Sequence, residues 1–336
     1  MRPGERVRAG GQVLVLGRSL GRGGEGEAFE LEGRPDLAVK VYHEDKRATR
    51  MTKITAMVDQ RLADRSSLAA FPIDLVLSAG GTFLGFTMRR VRGHQPVHRL
   101  WGPADRWATF PGATFATLVR VAANVARAVA SVHYAGGVIG DINQSGVLVS
   151  DQATVALIDA DSFQIRHGAD RFLCGVFTEE YTPPELAGRA FGREERSRNH
   201  DAFGVAAIAF QLLFLGRRPY EGRATTPDID LDHAVAGHRF AYSRRRDTGL
   251  TPPRHMPTLS DLPPVLADAF EDAFAPVAAL GLRPRPLDWA ELLAQFEGEL
   301  IGCAHRAEHR FHPTAGDCTW CRVRSTTGAE MFPPAT

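Results

Sequence analysis

Apolar and polar positions change rhythm about a quarter of the way along the chain. Over residues 12–42 the run QVLVLGRSLG alternates, and DLAVKVY is apolar except for one lysine. Period-two alternation predicts strands, because successive side chains leave a strand on opposite faces. A glycine-rich turn joins these two runs. Residues 46–62 take helical spacing, with Met51, Ile54, Met57 and Val58 on one face. PIDLVLSAGGTFLGFTM then predicts a hairpin about Gly80-Gly81. From 113 to 135 the spacing of Leu118, Val121, Ala122, Val125, Val129 and Val132 predicts a long helix. Short strands flank a loop at 137–149. DAFGVAAIAFQLLFLG is apolar on every side and predicts a fully buried helix that ends at Gly216. Residues 264–275 and 287–300 are further helical patterns, and the Pro- and Arg-dense stretch 243–264 predicts a surface loop. Strands first and helices after predict an α+β protein of two lobes, with no internal repeat.

Composition adds limits. The chain has 336 residues, 44% hydrophobic and 24% charged, which is enough for a large core. A formal net charge of +1 gives no electrostatic reason to expect nucleic acid or an anionic membrane as partner. No run approaches about eighteen consecutive apolar residues, and MRPGERVRAGGQ lacks the apolar run of a signal peptide. A cytoplasmic location is therefore expected. Of the cysteines, Cys303, Cys318 and Cys321 cluster near the end while Cys174 stands alone. Such clustering in a cytosolic chain suggests a metal, not disulfides.

Several short motifs carry candidate chemistry. Gly21, Gly23 and Gly26 form G-x-G-x-x-G between two predicted strands, where bare backbone can approach phosphates. This one opens onto AFELEG, a strand, which disfavours a dinucleotide-binding unit. Lys40 is the one charge in an apolar strand, and burying it calls for an anion. In GDINQSGVLV, Asp141 precedes a short apolar strand. In LIDADSF, Asp159 and Asp161 stand two apart, so a continuing strand would put both carboxylates on one side, suited to a hard divalent cation. In CAHRAEHRFHPTAGDCTWC, Cys318-x-x-Cys321 forms a knuckle for zinc. Cys303 and His309 complete C-x5-H-x8-C-x2-C, with His312 the competing ligand and His305 a weaker one. A segment this short cannot build its own core, so the metal would supply folding energy.

Taken in order, these motifs resemble the protein kinase fold. Gly21, Gly23 and Gly26 match its glycine-rich loop, Lys40 its strand lysine, Asp141 its catalytic-loop aspartate, and Asp159 its metal-binding aspartate. Glu185 matches the glutamate of its "APE" segment, Asp201 the aspartate that holds the catalytic loop, and Arg285 (or Arg283) the late arginine that pairs with that glutamate. The resemblance covers residues 12–298, an N-lobe at about 12–90 and a C-lobe at about 91–298. It is followed by a zinc-ribbon-like segment at 299–325 and a tail at 326–336. It implies ATP with Mg²⁺ or Mn²⁺, with Ala38, Met88, Asn143 and Asp161 also at the nucleotide and metal site. More narrowly, GDINQSGVLV, IDADSFQI and YTPPEL resemble bacterial kinase-like proteins of tellurium-resistance-type gene clusters. That group implies a von Willebrand A-domain protein and a metal-dependent protein phosphatase as partners.

Four departures qualify the implied activity. Gly146 stands where the pattern has a metal-binding Asn, Gly140 where it has Arg, and Asn143 where many protein kinases have Lys. No Glu lies between Arg47 and Phe71 to pair with Lys40, which leaves Asp59 as the candidate. The expected activity is weak, metal-dependent phosphoryl transfer to Ser or Thr of a protein. The alternatives are a pseudokinase scaffold and a small-molecule phosphotransferase. Cys174 is expected to be structurally incidental.

Overall fold

The structure is a computed structural model that describes residues 1–231 and 233–334. The last two positions of the 326–336 tail lie outside the described residues. The first lobe is a closed barrel built from β1 (Arg6–Ala9), β2 (Gln12–Arg22), β3 (Gly26–Leu31), β4 (Arg34–Tyr42), β5 (Pro72–Leu77) and β6 (Phe83–Arg89), ordered β1-β2-β3-β4-β6-β5. The lobe thus starts before residue 12. RVRA is short and half charged, so its alternation is faint, yet Val7 and Ala9 are buried inside the barrel. Leu16, Phe29, Val39 and Val76 fill the same interior. Helix α1 (Glu44–Asp59) follows β4, and the one-turn α2 (Leu62–Arg65) leads on to β5.

The second lobe forms around α4 (Phe115–Ala135), which comes after β7 (His94–Pro96) and α3 (Pro103–Thr109). Thr114 opens α4: its backbone N–H donates to the Thr117 hydroxyl at 3.2 Å. Gly136, at φ +95°, closes the helix in the left-handed conformation that favours glycine. α4 is the one helix among the described residues long and apolar enough to cross a membrane, and it lies under α5 (Arg198–Leu213) and α7 (Pro286–Gly298). α5 is buried along almost its whole length and ends at Leu213, three residues earlier than expected, before a turn in which Leu215 and Gly216 both take positive φ.

The sheet of β7, β8 (Val147–Ser150) and β9 (Val155–Leu157) carries the catalytic-type loop, and the hairpin of β10 (Ile165–His167) and β11 (Asp170–Phe172) follows it. The strand pair β12 (Arg223–Ala224) and β13 (Leu250–Thr251) and helix α6 (Pro264–Phe274) complete the lobe. The final segment holds the pair β14 (Ile301–Gly302) and β15 (Arg310–Phe311), then α8 (Thr319–Thr327). This segment does not stand apart. Trp320 sits 4.8 Å, centroid to centroid, from both Phe115 and Phe332, so α8, the tail and the start of α4 share one core.

Candidate active site

A cleft of about 660 Å³ opens between the lobes, lined by the glycine-rich turn, Ala38, Lys40, Met88, Asp141, Asn143, Gly146 and Asp159. The glycines divide by role. A side chain on Gly21 or Gly23 would meet nothing within 4 Å, so both offer bare backbone to the cleft. A Cβ on Gly26 would lie 2.3 Å from the Val41 carbonyl oxygen, so Gly26 is needed for β3 to approach β4. The turn is tied down by an ion pair between Glu25 and Arg50 of α1, and by His43 Nε2 3.1 Å from the Gly23 carbonyl.

Lys40 projects from β4 to the floor of the cleft. Its Nζ donates to both carboxylate oxygens of Asp161, at 2.9 and 2.8 Å, and lies 3.6 Å from Asp159 Oδ1. Tyr42, two residues along the same strand face, donates to Asp161 Oδ2 at 2.6 Å. The suggestion of Asp59 as partner is thereby corrected: Asp59 is exposed at the end of α1. Asp159 and Asp161 do not share a strand face either. β9 stops at Leu157, Asp159 turns left-handed at φ +56°, and a single 3-10 turn sends Asp161 inward. The Asp159 carboxylate is exposed on the cleft while Asp161 is buried and bonded to Lys40, so the two carboxylates do not face one side as a continuing strand would place them. Burial alone would depress the Lys40 ammonium, but the carboxylates of Asp161 and Asp159 outweigh it and hold it above its ordinary range. Burial would likewise raise the Asp161 carboxyl, and Lys40 and Tyr42 hold it below the usual carboxylate range.

In the catalytic-type loop, Asn143 Nδ2 donates to Asp141 Oδ2 at 3.0 Å. The amide oxygen of Asn143 accepts from the backbone N–H of Ser145 and of Gly146, at 2.9 and 3.0 Å. Asn143 therefore shapes the loop, with its oxygen bonded to the loop backbone at Ser145 and Gly146. The Thr178 hydroxyl donates to Asp141 Oδ2 at 3.3 Å. Burial raises the Asp141 carboxyl above its ordinary value. Gly140, at φ +79°, is packed by Cys174, whose Cβ would stand 2.6 Å from any Cβ placed there. Cys174 thus occupies the space beside the loop where the kinase pattern has an arginine.

The buried frame is formed by Asp201 and Glu185, both expected, and by Arg283 in place of Arg285. Asp201 accepts from the backbone N–H of Ile139 and of Gly140, both at 2.8 Å, and lies 2.8 Å from His133 Nε2. Glu185 pairs with Arg283 through two bonds of 2.5 and 2.9 Å. Arg285, the first expectation, is exposed and pairs with Asp288 as the opening turn of α7. Both arginines precede a proline, and only burial separates them, which the local sequence does not reveal. Sequence reasoning also missed Lys53, Thr178 and Gln164. Lys53 donates from α1 to the Ser162 and Leu173 carbonyls at 2.9 and 3.3 Å. Gln164 holds the Arg196 backbone through two bonds of 2.8 Å.

In the final segment, one ligand atom each from Cys303, His309, Cys318 and Cys321 lies within 4.8 Å of all the others. His309 Nδ1 stands 3.5 Å from Sγ of Cys318 and of Cys321. His312 points elsewhere, its Nε2 3.1 Å from Glu299. Glu330 from the tail lies 2.7 Å from His309 Nε2 and fixes the ring with Nδ1 toward the thiols. Burial pushes the Cys318 thiol up to about 12, so only a bound cation would draw off its proton near neutral pH. Three sulfurs and one nitrogen at these separations fit a tetrahedral ion.

No family model matches the chain. It is 36% identical over 318 residues to the protein kinase YegI of Escherichia coli K12, covering 93% of this chain and 49% of that relative. The YegI of Escherichia coli O157:H7 gives 36% over 320 residues. The chain spans about half the length of the curated relatives it matches. The ROP18 kinase domain solved in complex with AMP-PNP and sucrose superposes with a TM-score of 0.58 at 19% identity, over 88% of this chain and 84% of that one. A rhoptry kinase from Toxoplasma gondii gives 0.58 at 16% identity, with the same coverage. The chain has the protein kinase fold. Over nearly all its length it is similar to bacterial protein kinases, and the Cys/His cluster lies at its C-terminal end.

Proposed function

We propose that the chain transfers the terminal phosphoryl group of ATP, slowly and with a divalent cation, to a serine or threonine hydroxyl of a protein. The observation that carries this reading is the Thr178 hydroxyl on Asp141 Oδ2, at the mouth of a cleft that also holds Lys40 and Asp159. The carboxylate that would receive an acceptor's proton already receives an aliphatic hydroxyl. In the reaction the acceptor oxygen bonds to phosphorus, the bond from phosphorus to the ADP oxygen breaks, and the acceptor proton passes to Asp141. A carboxyl raised by burial is a better proton acceptor than an ordinary aspartate. Lys40 would orient the phosphates, and the exposed carboxylate of Asp159 would hold Mg²⁺ or Mn²⁺, which supplies charge neutralisation.

Slowness follows from Gly146. It has no side-chain oxygen for a second ion, Asn143 presents its oxygen to the loop backbone, and Asp161 is committed to Lys40. The same facts favour a second reading, a nucleotide-binding scaffold without turnover. The relatives' designation as protein kinases and the AMP-PNP of one fold neighbour support the kinase reading. For the cluster at Cys303, His309, Cys318 and Cys321 we propose one structural zinc ion, since four protein ligands leave no open position for chemistry. The von Willebrand A-domain and phosphatase proteins implied by the resemblance are proposed as the regulatory partners.

The test is incubation with labelled ATP and generic protein acceptors, in Mg²⁺ and in Mn²⁺, followed by phosphoamino-acid analysis. Label on serine or threonine is the expected result. Nucleotide binding without label in protein supports the scaffold.

A further inference from the structure

In the kinase pattern the strand lysine is aligned by a carboxylate on the following helix. Here α1 offers none: its inward-facing position holds Lys53, which is buried and donates to the Ser162 and Leu173 carbonyls. The carboxylate comes instead from the segment those carbonyls belong to. Asp161 immediately precedes Ser162, is 1% exposed, and holds Lys40 through both oxygens. Charge has been exchanged between helix and loop: the helix gives an ammonium to the loop, and the loop gives a carboxylate to the strand.

Resting on the phosphotransfer reading above, we propose that Asp161 is the positioning residue of Lys40, in place of a helix carboxylate, and that the turn at 159–162 sets the lysine's geometry. Three observations converge on this. Both Asp161 oxygens are engaged, Oδ2 also accepting from Tyr42 at 2.6 Å, so little capacity remains for a cation. Asp159, two residues before, keeps an exposed carboxylate 3.6 Å from the same ammonium, so one turn places both the cation's ligand and the lysine's partner. Lys53 fastens that turn to α1, so the helix acts on Lys40 through the loop backbone. The consequence is an aligned lysine that needs no carboxylate to swing in from α1. The order D-A-D within one turn provides this in a chain with no glutamate between Arg47 and Phe71.

Two measurements on the full chain test the proposal, and the first needs no activity. In a double-mutant cycle read by urea denaturation, Asp161→Asn and Lys40→Met should each raise the unfolding constant about a hundredfold, since each leaves a buried partner uncompensated. The double variant should fall within about tenfold of the worse single one. Additive effects would overturn the pairing, whether or not the protein transfers phosphate. The second measurement is metal dependence. As a positioning residue, Asp161 when changed to Asn should lower kcat about a hundredfold or more and leave the Mg²⁺ and Mn²⁺ concentrations for half-maximal rate within about twofold. A metal requirement raised tenfold with kcat recovered at high metal would assign Asp161 to the cation and overturn the role proposed here. If wild type shows no transfer while the cycle shows coupling, the pair stands and the phosphotransfer reading is what fails.

Discussion

Asp141 and Gly146 weigh most in the proposed phosphoryl transfer, one by what it has and the other by what it lacks. Asp141 must be ionised to accept a proton, and burial raises its carboxyl. Phosphoryl transfer should therefore fall on acidification around a midpoint above 3.8, the ordinary aspartate value, as the base protonates. A pH–rate profile checks this, and an acid limb at or below that value would contradict it. Gly146 has room: a Cβ would meet nothing nearer than the Asn143 amide, at 3.8 Å. Gly146→Asn should fold normally and raise turnover by roughly tenfold or more, since a charge-assisted metal contact is worth about 1–3 kcal/mol. Steady-state rates in saturating Mg²⁺ decide this. At this scale the kinase resemblance picked out Lys40, Asp141 and Asp159, which the fold brings to one cleft, and Asp201, which holds the loop backbone behind it. Their partnerships are not legible. Asp161 and Arg283 look equivalent to neighbours two residues away, and only burial, a property of the folded chain, distinguishes them.

Elements behave differently from residues in this respect. The long helices were readable because each has a broad apolar stripe, and α5 because it is apolar all round. The 3-10 turn after Asp159 was not readable, since a left-handed aspartate followed by one turn leaves no periodic signature, and extending β9 through it misplaced Asp161. The pairing of Glu185 with Arg283 links the segment after the cleft to the start of α7 and is buried on the arginine side. Arg283→Ala should destabilise the fold by about 3–5 kcal/mol, because it leaves a carboxylate uncompensated. Arg285→Ala, on an exposed pair, should stay within about 0.5–1 kcal/mol. Urea denaturation of the two variants provides the comparison, and equal losses would contradict the assignment. The Cys/His cluster was legible as a knuckle, whereas Glu330 was hidden in what read as a plain tail. Elemental analysis should find one zinc per chain, lost in Cys318→Ser. Glu330→Gln should weaken zinc affinity by about 10–100-fold in a chelator competition, because the partner that orients His309 is altered.

The whole molecule joins a barrel, a helical lobe and a metal-type segment that shares the lobe's core. Arg106 of α3 donates to the Leu100 carbonyl at 2.6 Å and to the Met331 carbonyl, and its guanidinium stacks 4.4 Å from the Phe332 ring centre, so the tail closes over the start of α4. Removing the metal should therefore loosen the helical lobe as well as the segment, and chelation should lower the melting temperature of the intact chain. An unchanged melting temperature after verified zinc loss would contradict that coupling. The central claim concerns the cleft between the lobes, and one measurement addresses it most directly. Single-turnover transfer from labelled ATP is followed for wild type, Asp141→Asn and Gly146→Asn, each with Mg²⁺ and with Mn²⁺ and a mixed protein acceptor. The account predicts slow transfer by wild type, none by Asp141→Asn, and faster transfer by Gly146→Asn. Wild type and Gly146→Asn both at the rate of Asp141→Asn, with either metal, would contradict it.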